Sequence, residues 1–347
     1  MMSAHGIERY FSDPKNFKQI ILGGNGSLKL YLDSGGFSEI SYLSVNPKKI
    51  LNNENIQDYL INKCINVLNH ASKCSAYITF TYDIPIIDET PPSMYRIIQQ
   101  LNEKSAIFML DRKPACTKLF AIAHGWDYKS VLHAAKKLKD FSFDGLAVAS
   151  PLSRIANFNK RVEFACALAA AADDDTETHY LGAAGIIDFY VIALLGISSC
   201  DSKAYSEHAR FRKYLLPQTG QRIAIGFNNK TERKFRLKEL PCMCPSCYEA
   251  KIFTRKNNLV YESDFYAEKG SERGAKLALH NLYVLFNELS LINEAMTSRS
   301  LFKKLLSNRV KANDRLKWAL KVLVSFCRKE KKLRMKVPFF ELLKDMI

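Results

Sequence analysis

Between residues 20 and 202 the chain alternates short apolar runs with longer stretches in which apolar residues recur three and four positions apart. The short runs are Ile20–Leu22, Leu28–Leu32, Ala76–Tyr82, Ala106–Leu110, Leu119–Ala123, Leu146–Ala149, Thr178–Leu181 and Ile197–Cys200. Most are rich in β-branched or aromatic residues and are bounded by Gly, Asp or Pro, as expected of strands buried on both faces. The longer stretches, Ile56–Ala71, Pro92–Asn102, Lys129–Leu138, Lys160–Ala172 and Ile186–Leu195, carry the helical period. Such alternation predicts βα units and a parallel sheet or barrel. No helix fits between the first two runs, or between Leu110 and Leu119, so not every run need be a barrel strand.

The residues that follow the runs narrow the picture. They are Asp33-Ser34-Gly35-Gly36, Asp83, Asp111, His124-Gly125, Ser150, Gly182-Ala183-Ala184-Gly185 and Asp201-Ser202. Acids, a histidine and glycines at strand C-termini would converge on one face of a barrel, where such folds carry their chemistry. After Asp201 the pattern changes. Residues 203–240 are basic and loop-like, with an expected hairpin of Arg222–Phe227 and Lys234–Leu237 around Asn228-Asn229. Helical spacing resumes over 274–327.

Composition fits a soluble globular protein, with 47% hydrophobic and 25% charged residues. The start of the chain has no secretory apolar region, and the longest apolar stretch, Gly185–Ser198, is too short to span a bilayer. A cytoplasmic protein with no membrane partner is expected. The net charge of +16, from 51 Lys+Arg against 35 Asp+Glu, points to a polyanionic partner. Its densest part is residues 303–336, where thirteen Lys and Arg face only Asp314 and Glu330.

Three of the nine cysteines fall within Cys242-Met-Cys244-Pro-Ser-Cys247, a metal-site spacing rather than a disulfide framework. A closed tetrahedral zinc site needs a fourth ligand. His280 and Cys327 are the two candidates, and His280 is preferred. Two acids stand out beside this cluster. Asp33 precedes a Gly-Gly pair that lets the backbone approach a planar ligand, and Asp201 ends the last expected strand. A pair of carboxylates on one face suits glycosidic-bond chemistry, one attacking the sugar carbon and one handling the proton of the leaving group.

Taken in order, these segments resemble the tRNA-guanine transglycosylase superfamily, and its archaeosine branch more than its queuine branch. The resemblance is carried by Asp-Ser-Gly-Gly-Phe (33–37), Tyr-Asp (82–83), Leu-Phe-Ala-Ile-Ala-His-Gly (119–125), Gly-Leu-Ala-Val (145–148), His-Tyr-Leu-Gly-Ala-Ala-Gly (179–185), Cys-Asp-Ser-Lys-Ala-Tyr (200–205), Leu-Pro-Cys-Met-Cys-Pro-Ser-Cys (240–247) and His-Asn-Leu-Tyr-Val (280–284). It implies a (β/α)8 TIM-like barrel over residues 1–240, a zinc-binding subdomain over 241–290 and a basic helical segment over 291–347. It implies Asp201 as the nucleophile at C1′ and Asp33 as the general acid/base. It implies Asp83 as reader of the base edge, with Gly125, Gly145, Leu146 and Ala147 lining the base pocket. Phe37 is equally compatible with stacking on the base and with the core. His124 stands where the family has a glutamine and is equally compatible with reading the base and with the core. Cys242, Cys244, Cys247 and His280 match a structural zinc set.

The short lead-in before Asp33 and the basic tail are similar to the DNA-directed branch of phages and bacterial modification islands. DNA is therefore the polymer expected first, with a preQ0-like 7-deazaguanine as incoming base and Arg210, Arg212, Lys213 and the 303–336 segment on the backbone. Exchange on tRNA is the alternative. A further alternative is a non-catalytic, zinc-stabilised binding partner, against which the presence of both Asp33 and Asp201 argues. The resemblance also implies a homodimer.

Overall fold

The structure, a computed structural model, describes residues 2–3, 29–34, 56–87, 90–149, 158–183, 185–211, 213–217, 219–224, 242, 244–249, 253–255, 258–260 and 271–347. Two compact units are present, Met1–Leu181 with Leu195–Asp201, and Gly182–Leu194 with Ser202–Ile347.

Among the described residues of the first unit seven strands lie in chain order, and every neighbouring pair is parallel. They are β1 (Met2–Ser3), β2 (Tyr31–Asp33), β3 (Ile78–Phe80), β4 (Lys118–Ala123), β5 (Gly145–Ala149), β6 (Glu177–Leu181) and β7 (Ser199–Cys200). Crossover helices α1 (Ile56–Lys73), α2 (Tyr95–Leu110), α3 (Tyr128–Lys139) and α4 (Phe158–Ala171) link β2 through β6. A strand order that never reverses sends right-handed crossovers to one side of the sheet, as in an α/β barrel; a doubly wound sheet reverses.

The sheet is also strongly curled. The His179 ring of β6 lies 4.8 Å from Phe80 of β3 and 5.9 Å from Tyr31 of β2, centroid to centroid. In a flat sheet, strands three and four places apart would be separated by roughly 14 and 19 Å. The unit is therefore a TIM-like half-barrel; among the described residues β1 and β7 do not pair to close it. Its concave side carries the alternate residues Ile78 and Phe80, Phe120 and Ile122, Ala147 and Leu181. The intervening residues face the helices, where Leu30, Leu32 and Leu119 pack with Leu60, Val67, Ile98 and Met109. Burying both faces explains why these strands read as continuous apolar runs.

Local chemistry places the helix ends. Asp127 caps α3, accepting from Ser130 N at 2.8 Å, while Ser130 Oγ accepts from Asp127 N at 3.0 Å. One expectation fails here. The run Ala106–Leu110 is the last turn and a half of α2, not a strand. The buried face of α2 continues through Ile98, Asn102, Ser105, Ala106 and Met109, so the helical period, read over the whole segment, overrides the short apolar run. Asp111 therefore caps that helix, its N–H donating to Ile107 O at 3.2 Å, and is no strand-end acid. The run Ile20–Leu22 lies outside the described residues.

The second unit is mostly helical. It holds α5 (Ile186–Leu194), α6 (Ala204–Arg210), a hairpin of β8 (Lys213–Leu215) and β9 (Arg222–Ala224), α7 (Pro245–Glu249), a hairpin of β10 (Phe253–Arg255) and β11 (Asn258–Val260), α8 (Ser271–Ala295), α9 (Arg299–Ala312), α10 (Asp314–Lys329), α11 (Lys331–Lys336) and α12 (Phe340–Met346). Residues 222–224 pair antiparallel with Lys213–Leu215; the rest of the expected hairpin, through Asn228-Asn229 to Lys234–Leu237, lies outside the described residues.

A buried charge cluster joins α5, α8 and α9. Arg309 donates twice to Glu288, at 2.6 and 2.7 Å, and Tyr190 Oη donates to the same carboxylate at 2.8 Å. Satisfied on several sides, the pair is tolerable in the core; losing one partner would strand the other. Arg309 is accordingly removed from the basic surface counted over 303–336. Among the described residues no helix is long and apolar enough to cross a membrane.

Candidate active site and metal centre

Asp33 ends β2 on the concave side. It lies two residues beyond Tyr31, whose ring touches His179, and strand alternation keeps i and i+2 on one face. Asp201 follows β7 by the same logic, two residues beyond Ser199, whose hydroxyl lies 2.8 Å from His179 Nδ1. Asp201 N–H donates to Tyr180 O at 3.4 Å and its Oδ1 lies 3.5 Å from His179 Nε2. Both expected acids thus stand at the C-terminal rim of the concave face, contributed by the second and seventh strands.

Asp83 lies three residues past β3 and is buried. The segment that carries it is held on both sides by α2. Tyr82 N–H donates to Met109 Sδ at 3.1 Å, and the Asn102 amide accepts from Ile84 N at 2.7 Å and donates to Ile84 O at 2.9 Å. Ser34 Oγ then donates to Asp83 Oδ1 at 2.8 Å, tying the end of β2 to the loop after β3. His124, one residue past β4, puts Nε2 3.0 Å from Asp83 Oδ2, an ion-pair distance whose angle is too bent for a hydrogen bond. Its carbonyl accepts from Gln99 Nε2 at 2.9 Å. His124 therefore belongs with Asp83 and is not an isolated core residue.

The glycines have steric reasons for their identity. A Cβ at Gly125 would stand 2.5 Å from Val131 N, and one at Gly145 would stand 2.6 Å from the Phe120 ring. Ala147 faces the concave side, whereas Leu146, next along the strand, is buried with the opposite orientation. Any role of Leu146 in a pocket is thereby confined to its backbone. Phe37 and Arg212 lie outside the described residues. A cleft of about 450 Å³ between α2 and α3 has His124 and Gln99 in its lining, but neither Asp33 nor Asp201, so it is not the site formed at the rim.

In the second unit Cys242, Cys244, Cys247 and His280 are all buried, and their ligand atoms lie within 4.8 Å of one another. His280 Nδ1 stands 3.4 Å from Cys244 Sγ and 3.2 Å from Cys247 Sγ. With Zn–S near 2.3 Å and Zn–N near 2.1 Å, the S···N edge of a tetrahedron is roughly 3.6 Å, so the four donors fit a zinc ion. The far ring nitrogen, His280 Nε2, donates to Leu215 O at 2.9 Å, which turns the Nδ1 lone pair toward the sulfurs. Tyr214 stacks on the ring at 3.7 Å, and its Oη lies 3.4 Å from Cys247 Sγ. Asn281 fixes the neighbouring turn, accepting from Leu215 N at 2.9 Å and donating to Lys213 O at 3.0 Å. Cys327, the other candidate ligand, is buried in α10 and is not among the four clustered donors.

Of the expected backbone-binding residues, Arg210 is exposed and Lys213 half-buried. Between them Phe211 is 61% exposed, an aromatic set among cations that sequence reasoning passed over. Sequence reasoning also gave no role to Ser34, Asn102, His179 and Ser199, although Ser34 and His179 lie inside matched segments.

The comparisons with known proteins agree with this geometry. A profile of the family described as queuine tRNA-ribosyltransferase matches residues 26–314. Among curated relatives, the tRNA-guanine(15) transglycosylase of Methanosarcina acetivorans is 26% identical over 313 residues, covering 87% of this chain and 54% of the relative. That of Thermococcus onnurineus is 25% identical over 252 residues, covering 70% of this chain and 38% of the relative. That of Haloferax volcanii is 30% identical over 154 residues, covering 44% and 26%. The chain thus spans about half or less of the length of these relatives. With a match that runs from the residues before Asp33 to the helices beyond the metal cluster, the chain belongs to the queuine tRNA-ribosyltransferase family.

Proposed function

We propose that this chain exchanges guanine in tRNA for a 7-deazaguanine base through a covalent intermediate on Asp201. The observation that carries the reading is the pair of carboxylates, Asp33 and Asp201, at one rim of the concave face in a chain of this family. In the proposed reaction Asp201 attacks C1′ of the target nucleoside. The C1′–N9 bond breaks, its electron pair leaves with guanine, and Asp33 supplies the proton that guanine takes up. Asp33 then accepts the proton of the incoming base, whose nitrogen attacks C1′ and displaces Asp201. Asp83, held by Ser34 and accompanied by His124, reads the polar edge of the base. The target base must leave its stack to reach these groups.

The polymer proposed is tRNA because the relatives are named for tRNA; nothing in the comparisons favours the DNA expected from the short lead-in. Arg210, Lys213 and the exposed cations of α10 and α11 would hold the backbone through salt-sensitive contacts. The same reading puts the protein in the cytoplasm and gives the four-ligand cluster a structural zinc. Three thiolates and one imidazole leave no open position, so the ion would brace the fold and not activate water.

Incubation with guanine-labelled tRNA, or with guanine-labelled DNA, plus a 7-deazaguanine base tests the proposal. Label should leave tRNA. Release from DNA alone would refute the polymer assignment. No release from either would refute the enzyme and favour the non-catalytic binding partner.

Self-association is supported by Leu279, Tyr283 and Phe286, an exposed apolar stripe along α8 at helical spacing. Phe286→Glu is expected to halve the mass measured by light scattering. A parent protein that is monomeric at tens of micromolar would refute the dimer.

A further inference from the structure

We infer that His179 is a positioning residue for the Asp201 carboxylate, with its tautomer set by Ser199. The inference rests on the nucleophilic role proposed for Asp201. Its basis is a relay along the concave face that uses neither Asp33 nor Asp83.

His179 is 1% exposed and lies on β6, directly opposite Ser199 of β7 in the ladder. Phe80 and Tyr31 flank the ring at 4.8 and 5.9 Å, which restricts its plane. Both nitrogens are thereby aimed. Nδ1 lies 2.8 Å from Ser199 Oγ, and Nε2 points at Asp201 Oδ1 from 3.5 Å with no hydrogen-bond partner of its own. A fully buried ring nitrogen without a partner is costly, and the neighbouring carboxylate is the group placed to relieve it.

The tautomer follows from the hydroxyl. Ser199 Oγ–H has two acceptors within reach, His179 Nδ1 at 2.8 Å and Thr178 O at 3.3 Å. The closer one is the ring nitrogen. A hydroxyl that donates to Nδ1 leaves the ring proton on Nε2, where it faces the carboxylate as N–H···O⁻. The reverse tautomer would set a lone pair against an anion.

The consequence is chemical. A donor placed on Oδ1 of a side chain that is only 14% exposed fixes the orientation in which the carboxylate meets C1′. The bond steps are unchanged: the bond from the Asp201 carboxylate to C1′ forms, C1′–N9 breaks, the electron pair leaves with guanine, and His179 keeps its proton throughout. His179 touches no reacting atom.

Two substitutions separate this role from packing, because Gln and Asn each retain one end of the imidazole. The amide of His179→Gln reaches the place of Nε2; that of His179→Asn reaches only the place of Nδ1. With labelled tRNA at saturation, His179→Asn is expected to lower kcat about 10- to 100-fold, the scale on which supporting partners act, while KM for tRNA stays within about twofold. His179→Gln should recover most of the loss. A nitrogen-15 spectrum of the intact parent protein should show the His179 proton on Nε2, a readout that survives if either variant misfolds. Asn matching the parent, or Asn outperforming Gln, would overturn the inference, as would a proton found on Nδ1. A parent protein that releases no guanine would overturn the functional reading and this inference together, whereas an active parent with unaffected variants would overturn this inference alone.

Discussion

Asp201→Asn is expected to leave a folded protein that releases no guanine and forms no covalent complex with its polymer. The substitution is isosteric and lies at a rim position that is partly open to solvent. The thermal midpoint should therefore stay within a few degrees of the parent, since the amide keeps the shape of the carboxylate and its oxygen can still accept from His179. The chemistry has no such tolerance. The amide oxygen carries no full charge, cannot neutralise an oxocarbenium-like centre, and forms no stable ester at C1′. The expected loss in kcat is at least about a thousandfold, roughly 4 kcal/mol of transition-state stabilisation. The measurement is single-turnover guanine release, together with a denaturing gel for a protein–nucleic acid band. An adduct trapped on Asp201→Asn would eliminate Asp201 as the nucleophile.

Stripping the metal from the cluster of Cys242, Cys244, Cys247 and His280 should unfold the surrounding region of the second unit. Structural zinc binding contributes about 10–16 kcal/mol, comparable with or larger than the whole stability of an ordinary domain. Without the ion, three thiols and an imidazole are left packed against one another in the core. As thiolates they would repel one another at these distances. Cys244→Ser should act similarly, since Cys244 Sγ accepts from Cys247 N–H at 3.3 Å and would also be a ligand of the proposed zinc. The expected readouts are one zinc per chain by elemental analysis and, after chelation, loss of hydrogen-exchange protection across 242–285. Full protection in a metal-free protein would contradict the structural role.

These two sites were legible in the sequence to different degrees. The candidate metal ligands were readable because Cys242, Cys244 and Cys247 crowd three thiols into one short loop, a spacing that suits a metal, and His280 began the matching segment downstream. Strands β4, β5 and β6 were readable to within about a residue because burial on both faces writes an uninterrupted apolar run. The same signal misled at Ala106–Leu110, where a helix pressed against the sheet is apolar for the same reason. The acids were visible, but their supports were not. Ser34 meets Asp83 across 49 residues, and Asn102 clasps Ile84 across 18, contacts that no local spacing announces. His179 was hidden differently: it lay inside a matched segment as an ordinary strand residue, and its place opposite Ser199 on the neighbouring strand, which sets it beside Asp201, shows only in the ladder. Arg309 reads as one of thirteen cations until the fold buries it against Glu288.

The strand order has a consequence for how the molecule is made. Each strand of the first unit pairs with the one synthesised just before it, so the sheet can grow in the order of translation with little loop entropy to overcome at each step. Asp33 emerges early and Asp201 last, on the final strand. A nascent chain thus carries most of the sheet before it carries the group proposed to attack C1′. On that proposal, reactivity arrives only with the last strand of the sheet.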